Sequence, residues 1–196
     1  MKIKCVIFDM DGTLIDVPYD WEKIRRDLDT RGKPILAHIS ELKEPEKSLK
    51  WKILEKYEHE ATLNATLNKG VSELLDFLED LGIWKALVTN NSQKNVSFLL
   101  DKFKLVFDYV LTRERGFWKP SGAPLRETLK TFNLAPDECC LVGDSEFDIR
   151  AGVDAEITNI FILKSKRKEF IESNQAEMFV SIEDIQKRIE SLVSDS

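Results

Sequence analysis

An α/β fold, in which a parallel sheet is buried on both faces by helices and carries a small helical insertion, is predicted by three observations. Short apolar runs recur along the 196-residue chain, and they are continuous rather than alternating, as strands covered on both sides must be. Stretches with apolar residues three and four apart separate those runs, giving a βαβ rhythm. One long gap, after the first run, holds helical patterns and no strand-like one.

Taken in order, the runs at residues 3–8, 84–88, 107–111, 139–142 and 158–163, with a weaker one at 178–182, read as strands. The helices between them carry Val71, Leu74, Leu75 and Leu78, then Val96, Leu99, Leu100 and Phe103, then Leu125, Leu129 and Phe132. A last helix carries Ile182, Ile185, Ile189 and Leu192, and Gly82 reads as the stop of the helix before the second strand. The insertion shows helical spacing in Trp21, Ile24 and Leu28, in Ile35, Leu36, Ile39 and Leu42, and in Leu49, Ile53 and Tyr57. "RGKP" and "KEP" supply the breaks. Residues 1–15 and 69–196 are therefore expected to form the core domain and residues 16–68 a helical subdomain, with Trp21, Trp51 and Tyr57 in the subdomain's own core.

Composition narrows the classes. With 42% hydrophobic and 33% charged residues the chain can bury a core of ordinary size. A formal net charge of -6 gives no basic face, which makes nucleic acid a poor first partner. Cys5, Cys139 and Cys140 lie in apolar runs without metal-ligand spacing, and an odd count argues against a disulfide framework. A reducing, cytoplasmic setting is expected. No stretch resembles a signal peptide or approaches the ~18 apolar residues of a membrane span, so no membrane partner is expected. His38 and His59 have no ligand spacing, and "KSKRK" at 164–168 reads as a solvated loop or helix start.

The chemistry gathers at strand ends, because an open parallel sheet presents its functional groups at the carboxyl edge. The first strand ends in Asp9 and Asp11, the second in Thr89, Asn90 and Asn91, and the fourth in "GDSEFD", with Asp144 and Asp148. Lys119-Pro120 follows the third. Each alone fits a turn, a helix cap or a surface residue; together they point to one crevice. Carboxylates about 4 Å apart repel by roughly 4 kcal/mol per pair at an effective dielectric near 20, so protonation or a bound cation must offset them. Oxygen ligands without histidine or thiolate favour a hard ion such as magnesium, with Asp9, Asp11, Asp144 and Asp148 as candidate ligands. Lys119 adds positive charge, Thr89 and Asn90 add donors, and the turn through Gly12 and Thr13 is expected to present backbone amides, all suited to a phosphoryl group. Asp9 can attack phosphorus to form an aspartyl-phosphate while Asp11, two residues on along an extended segment, serves as acid and then base.

At these residues the sequence resembles the haloacid dehalogenase-like superfamily, in its phosphatase branch. "FDMDGTL" matches the first motif, "LVTNN" the second, "KP" at 119 and 120 the third and "VGDSEFDIRAG" the fourth, in the family's order over nearly the whole chain. The resemblance implies a Rossmann-like core with the insertion as a helical cap of the first type. It implies Asp9 as nucleophile, Asp11 as general acid and base, and Thr89 and Lys119 as phosphate-binding groups. Asp144 and the Asp11 backbone carbonyl would hold magnesium, with Asp148 acting through water. Family dehalogenases lack an acid at the position of Asp11, so the resemblance favours phosphate chemistry. Two departures bear on loop geometry: the proline spacing in "KPSGAP", and Glu156 where many relatives have glycine. The expected activity is magnesium-dependent hydrolysis of a small phosphorylated metabolite, phosphoglycolate-like or another short ester. A phosphomutase and a non-catalytic phosphate-binding regulator are the alternatives.

Overall fold

The structure, a computed structural model, describes residues 3–163 and 176–194. The "KSKRK" segment lies outside them. The described residues pack as two compact units, one drawn from 1–16 and 67–196 and the other from 17–66. In the first unit a six-stranded, wholly parallel sheet runs in the order β5-β4-β1-β6-β7-β8. Its strands are β1 (Cys5–Phe8), β4 (Trp84–Val88), β5 (Tyr109–Leu111), β6 (Cys139–Gly143), β7 (Asn159–Leu163) and β8 (Glu177–Phe179). The connecting segments β2 (Ile15–Asp16) and β3 (Thr66–Leu67) pair as a separate two-stranded sheet.

Helices cover both faces of the main sheet. Because side chains alternate along a strand, Cys5 and Ile7 point to one face and Val6 and Phe8 to the other. On the first face Ile7, Val88, Leu141 and Ile162 pack with Leu125 and Leu129 of α6 (Ala123–Phe132) and Ile149 of α7 (Glu146–Asp154). Elsewhere in the unit α4 (Val71–Asp80) packs on β4 and on α8 (Ile182–Ser194), and both helices bury an apolar stripe, Leu74 and Leu78 on one, Ile185 and Ile189 on the other. Continuous apolar strands are what this two-sided burial requires.

Local chemistry sets the element ends. Ser92 caps α5 (Gln93–Phe103), its hydroxyl accepting from the Asn95 N–H. Gly82 follows α4 with φ +64°, a left-handed stop that fits its predicted role. Several predicted runs shorten, two of them for reasons that the hydrogen bonds show. The third strand starts at Tyr109, because Asp108 meets Lys85 irregularly, its N–H donating to the Lys85 carbonyl and its carboxylate accepting from the Lys85 N–H, both at 2.8 Å. The last run ends as a strand at Phe179, since the Ser181 hydroxyl accepts from the Asp184 N–H and makes Ile182 the first residue of a helix. Glu156, after α7, takes φ +60°, a conformation that glycine adopts without strain.

The second unit holds α1 (Trp21–Asp27), α2 (Ile35–Glu41) and α3 (Glu46–Leu63) around Ile24, Leu28, Leu36, Ile39 and Leu54. Here the sequence expectation is off by one residue. The buried stripe of α3 is Leu54, Glu58 and Thr62, not Leu49, Ile53 and Tyr57, a rotation of about 100° around the helix. Leu49 is consequently 56% exposed, and Trp21 of α1, expected inside, is 40% exposed. Tyr57 is half-buried and hydrogen-bonds Asp27. No helix among the described residues is long and apolar enough to cross a membrane.

The helix-to-sheet contact on α7 yields a prediction. A Cβ on Gly152 would lie 2.7 Å from Ile160 Cδ1 and 2.9 Å from Leu141 Cδ2, whereas one on Gly82 meets nothing within 4 Å. Gly152→Ala should cost about 1–3 kcal/mol through overpacking, and Gly82→Ala about 1 kcal/mol through its backbone conformation alone. Urea denaturation of the two variants checks the order; equal losses would contradict the packing assignment.

Candidate active site

The strand order places β1 between β4 and β6, where the chain turns from building one side of the sheet to building the other. That switch point is where an open α/β sheet offers a crevice at its carboxyl edge. Phe8 is in register with Leu87 on one side and Val142 on the other. Asp9 extends the ladder by one bond, its N–H donating to the Val142 carbonyl at 2.9 Å. It therefore stands level with the ends of β4 and β6, one residue short of Thr89 and Asp144.

Beyond Asp9 the chain closes a tight turn. The Leu14 and Ile15 N–H groups both donate to the Met10 carbonyl at 3.0 Å. Gly12 takes φ +86°, and a Cβ there would lie 2.2 Å from Asp144 Oδ2. Glycine is thus required twice, for the conformation and because the Asp144 carboxylate occupies the space of the missing side chain. The same turn engages two backbone amides that the sequence offers to an anion. The Gly12 N–H donates to the Ile15 carbonyl at 2.8 Å and the Thr13 N–H to the Met10 carbonyl at 3.3 Å. Turn closure takes both donors.

One cation organises the carboxylates. The buried Lys119 Nζ lies 2.7 Å from Asp9 Oδ1 and 2.6 Å from Asp148 Oδ1. Asp148 is fully buried and its Oδ2 accepts from the Ser145 hydroxyl at 2.5 Å, the Ser145 N–H at 3.1 Å and the Asp144 N–H at 3.3 Å. A Cβ on Gly143 would lie 2.4 Å from Asp148 Cγ, so that glycine makes room for the aspartate. Burial works against the Lys119 charge, but Asp148 and Asp9 outweigh it and hold its pKa above the ordinary lysine value. Burial pushes Asp9 up to about 6 against the opposing pull of Lys119. Asp144 rises to about 8, through burial first and then repulsion from Asp9 and Asp148.

Asp9, Asp144 and Asp148 each offer an oxygen within 4.8 Å of the others. A single lysine faces them, and Asp144 forms no ion pair with a lysine or arginine among the described residues. This crowded, all-oxygen set fits a hard divalent cation, whose charge would offset both the burial and the repulsion that raise Asp144.

The three polar residues after β4 take different partners. Thr89 is buried, and its hydroxyl accepts from the Asn91 N–H at 3.1 Å, leaving its O–H to donate. The Asn90 side chain grips the lysine loop. Its Oδ1 accepts from the Lys119 N–H at 2.9 Å and its Nδ2 donates to the Lys119 carbonyl at 2.8 Å. Both ends of the amide are engaged with backbone, which fixes Lys119. Asn91 Nδ2 donates to Asp11 Oδ2 at 3.0 Å and Oδ1 at 3.3 Å. Thus Asp9, Asp144, Asp148 and Lys119 converge, Gly12 lies against Asp144, and Asp11 is held by Asn91. Sequence reasoning placed Asn91 at this strand end without giving it a partner or a role, and it missed Ser145. Their signals were available in the polar "TNN" strand end and in the S-x-x-D capping pattern of "SEFD".

Comparison with known proteins agrees with this geometry. Residues 18–162 match the family model described as haloacid dehalogenase-like hydrolase. An uncharacterized hydrolase of Saccharomyces cerevisiae is 30% identical over 196 residues, covering 96% of this chain and 90% of its own. A phosphoglycolate phosphatase of Aquifex aeolicus is 30% identical over 172 residues, covering 76% and 80%. The crystal structure of a Had-superfamily hydrolase from Ehrlichia chaffeensis superposes with a TM-score of 0.64 at 26% identity, covering 98% of this chain and 99% of that one. With the family's model matched over most of its length and its carboxylates gathered at the switch point of a parallel sheet, the chain belongs to the haloacid dehalogenase-like hydrolase family, in its phosphatase branch.

Proposed function

We propose that the protein is a magnesium-dependent phosphomonoesterase acting on a small phosphorylated metabolite through an aspartyl-phosphate on Asp9. The observation that carries this reading is the Lys119 bridge between Asp9 and Asp148: it fixes a buried carboxylate at the end of the central strand by one oxygen, Oδ1. Oδ2 is then the attacking atom. As the Asp9–phosphorus bond forms, the bond to the ester oxygen breaks, and Asp11 gives its proton to that oxygen. Asp11 next takes a proton from water, the water oxygen attacks phosphorus, and the bond to Asp9 breaks to release phosphate. Lys119 and the Thr89 hydroxyl offset charge on the phosphoryl oxygens. Asp9, Asp144 and the Asp11 backbone carbonyl would hold magnesium, with Asp148 behind them, and the ion supplies positive charge to the same oxygens when bound.

The Aquifex relative's name makes phosphoglycolate the first ester to test. Cys5 and Cys139, side by side in register as free buried thiols, suit a reducing compartment such as the cytoplasm.

Phosphate release from a panel of small phosphomonoesters, with magnesium and then with a chelator, tests the activity. Magnesium-dependent turnover of a narrow set is expected, and no release from any ester by folded protein would overturn the reading. Asp9→Asn should lower turnover by at least about 10³-fold without unfolding the protein, since an amide cannot form the acyl-phosphate. Retention of normal turnover by that variant would contradict the nucleophile assignment.

The raised carboxylates also make stability depend on pH. Asp9 and Asp144 start from 3.8 when unfolded and reach about 6 and about 8 when folded, so the folded state binds more protons within that window. Without divalent cation, stability should fall as pH rises from about 4 toward 8. Magnesium should raise Tm more at pH 8 than at pH 5, because protons compete with it at the lower value. Asp144→Asn should flatten both trends; thermal melts showing an unchanged magnesium shift in that variant would remove Asp144 from the cation site.

A further inference from the structure

We infer that Asn91 and Asn95 form a positioning relay that fixes the Asp11 carboxyl group for proton transfer, a function the sequence motifs do not assign to either residue. The inference rests on Asp11 acting as the acid and base of the proposed reaction, and it deepens that reading.

The orientation of the Asn91 amide is forced. The backbone N–H of Ser92 can only donate, and it lies 2.7 Å from Asn91 Oδ1. Turning the amide over would set two donors against each other. Oδ1 accepts a second bond from Asn95 Nδ2 at 3.1 Å, which fills its lone pairs. Nδ2 must then face Asp11, where it spans both carboxyl oxygens at 3.0 and 3.3 Å. One donor shared between two oxygens restricts rotation of the carboxyl plane. A single bond to one oxygen would restrain that torsion less.

The anchor behind Asn91 is rigid. Asn95 is 3% exposed and lies in the first turn of α5, where its own N–H donates to the Ser92 hydroxyl at 3.3 Å. Ser92 is the N-cap of that helix, so the first helical turn, the asparagine pair and Asp11 form one continuous chain of hydrogen bonds. It runs from β4 and α5 to the turn after β1, joining residues 80 positions apart in sequence. Buried amide chains are determined by the partners each member holds, and both ends of the Asn91 amide are engaged. Asn95 touches no reacting atom; any effect it has on the reaction passes through Asn91 and Asp11.

A relay that orients a proton donor has a signature that general loosening of the fold lacks. An ester whose leaving group departs without a proton, such as p-nitrophenyl phosphate, needs a well-placed acid far less than an alkyl phosphate does. The ratio kcat/KM isolates the transfer to Asp9, because it reports steps through the first irreversible one and excludes hydrolysis of the aspartyl-phosphate. The test compares kcat/KM for p-nitrophenyl phosphate and ethyl phosphate in the full chain and in Asn95→Leu, Asn91→Ala and Asp11→Asn. Asn95→Leu keeps the branched four-heavy-atom shape of the side chain and removes the donor, and Asn95→Ser is a smaller second variant should the bulkier leucine prevent folding.

Asn95→Leu should lower kcat/KM about tenfold for ethyl phosphate and less than about twofold for p-nitrophenyl phosphate, with Asn91→Ala larger in the same direction and Asp11→Asn largest. Parallel losses on both esters in the asparagine variants, with discrimination retained in Asp11→Asn, would overturn the relay and leave the reaction as proposed. Parallel losses in Asp11→Asn as well would overturn both the relay and the role of Asp11.

Discussion

A buried ammonium between two buried carboxylates is the interaction on which the site depends. Lys119 reaches Asp9 and Asp148 at 2.7 and 2.6 Å in a largely buried region, where removing one partner of an ion pair leaves an uncompensated charge. The pair is not a stabilising device in its own right, since desolvating three ionised groups costs about as much as their attraction returns. Its value is positional. Asp148 is held by three further donors, so the lysine is tied to the start of α7, and through the lysine Asp9 is tied there as well.

The sheet delivers these groups to one place by register. β1, β4 and β6 end at the same height, and each is followed by polar residues, so four carboxylates and a lysine are drawn to a single edge. The close approach is then made possible by absent side chains. Gly12 leaves room for the Asp144 carboxylate and Gly143 for that of Asp148. Burying acids and then packing them this tightly is electrostatically unfavourable, which is visible in the raised pKa of Asp144. A site that tolerates such repulsion in its resting state is suited to a ligand set that brings positive charge.

Three consecutive residues divide the supporting work. Thr89 offers a hydroxyl, Asn90 clamps the Lys119 backbone, and Asn91 spans Asp11. Asparagine suits both tasks because its amide donates at one end and accepts at the other. Aspartate would add a further negative charge to an already crowded edge, and serine could not reach both partners. The groups expected to move protons and bond to phosphorus are thus set by neutral amides that do not titrate.

The sequence by itself determined the parallel α/β class, the order of the strands along the chain, the helical character of the segment after the first strand and the set of acids at strand ends. These are legible because burial imposes a period on the residues of each element, and strand ends are marked by an abrupt change from apolar to polar. Only the tertiary structure decided which partner each polar group takes. The Gly12 and Thr13 amides turn inward because the turn after β1 closes on its own carbonyls, and Asn90 meets Lys119, 29 residues away, only when β4 and the loop after β5 lie side by side. The buried stripe of α3 differs from the expected one by one position, since a helix carrying Glu58 and Thr62 inside has no clear apolar face to read. Periodicity records which side of an element is covered; hydrogen-bond geometry between elements distant in sequence leaves no such record.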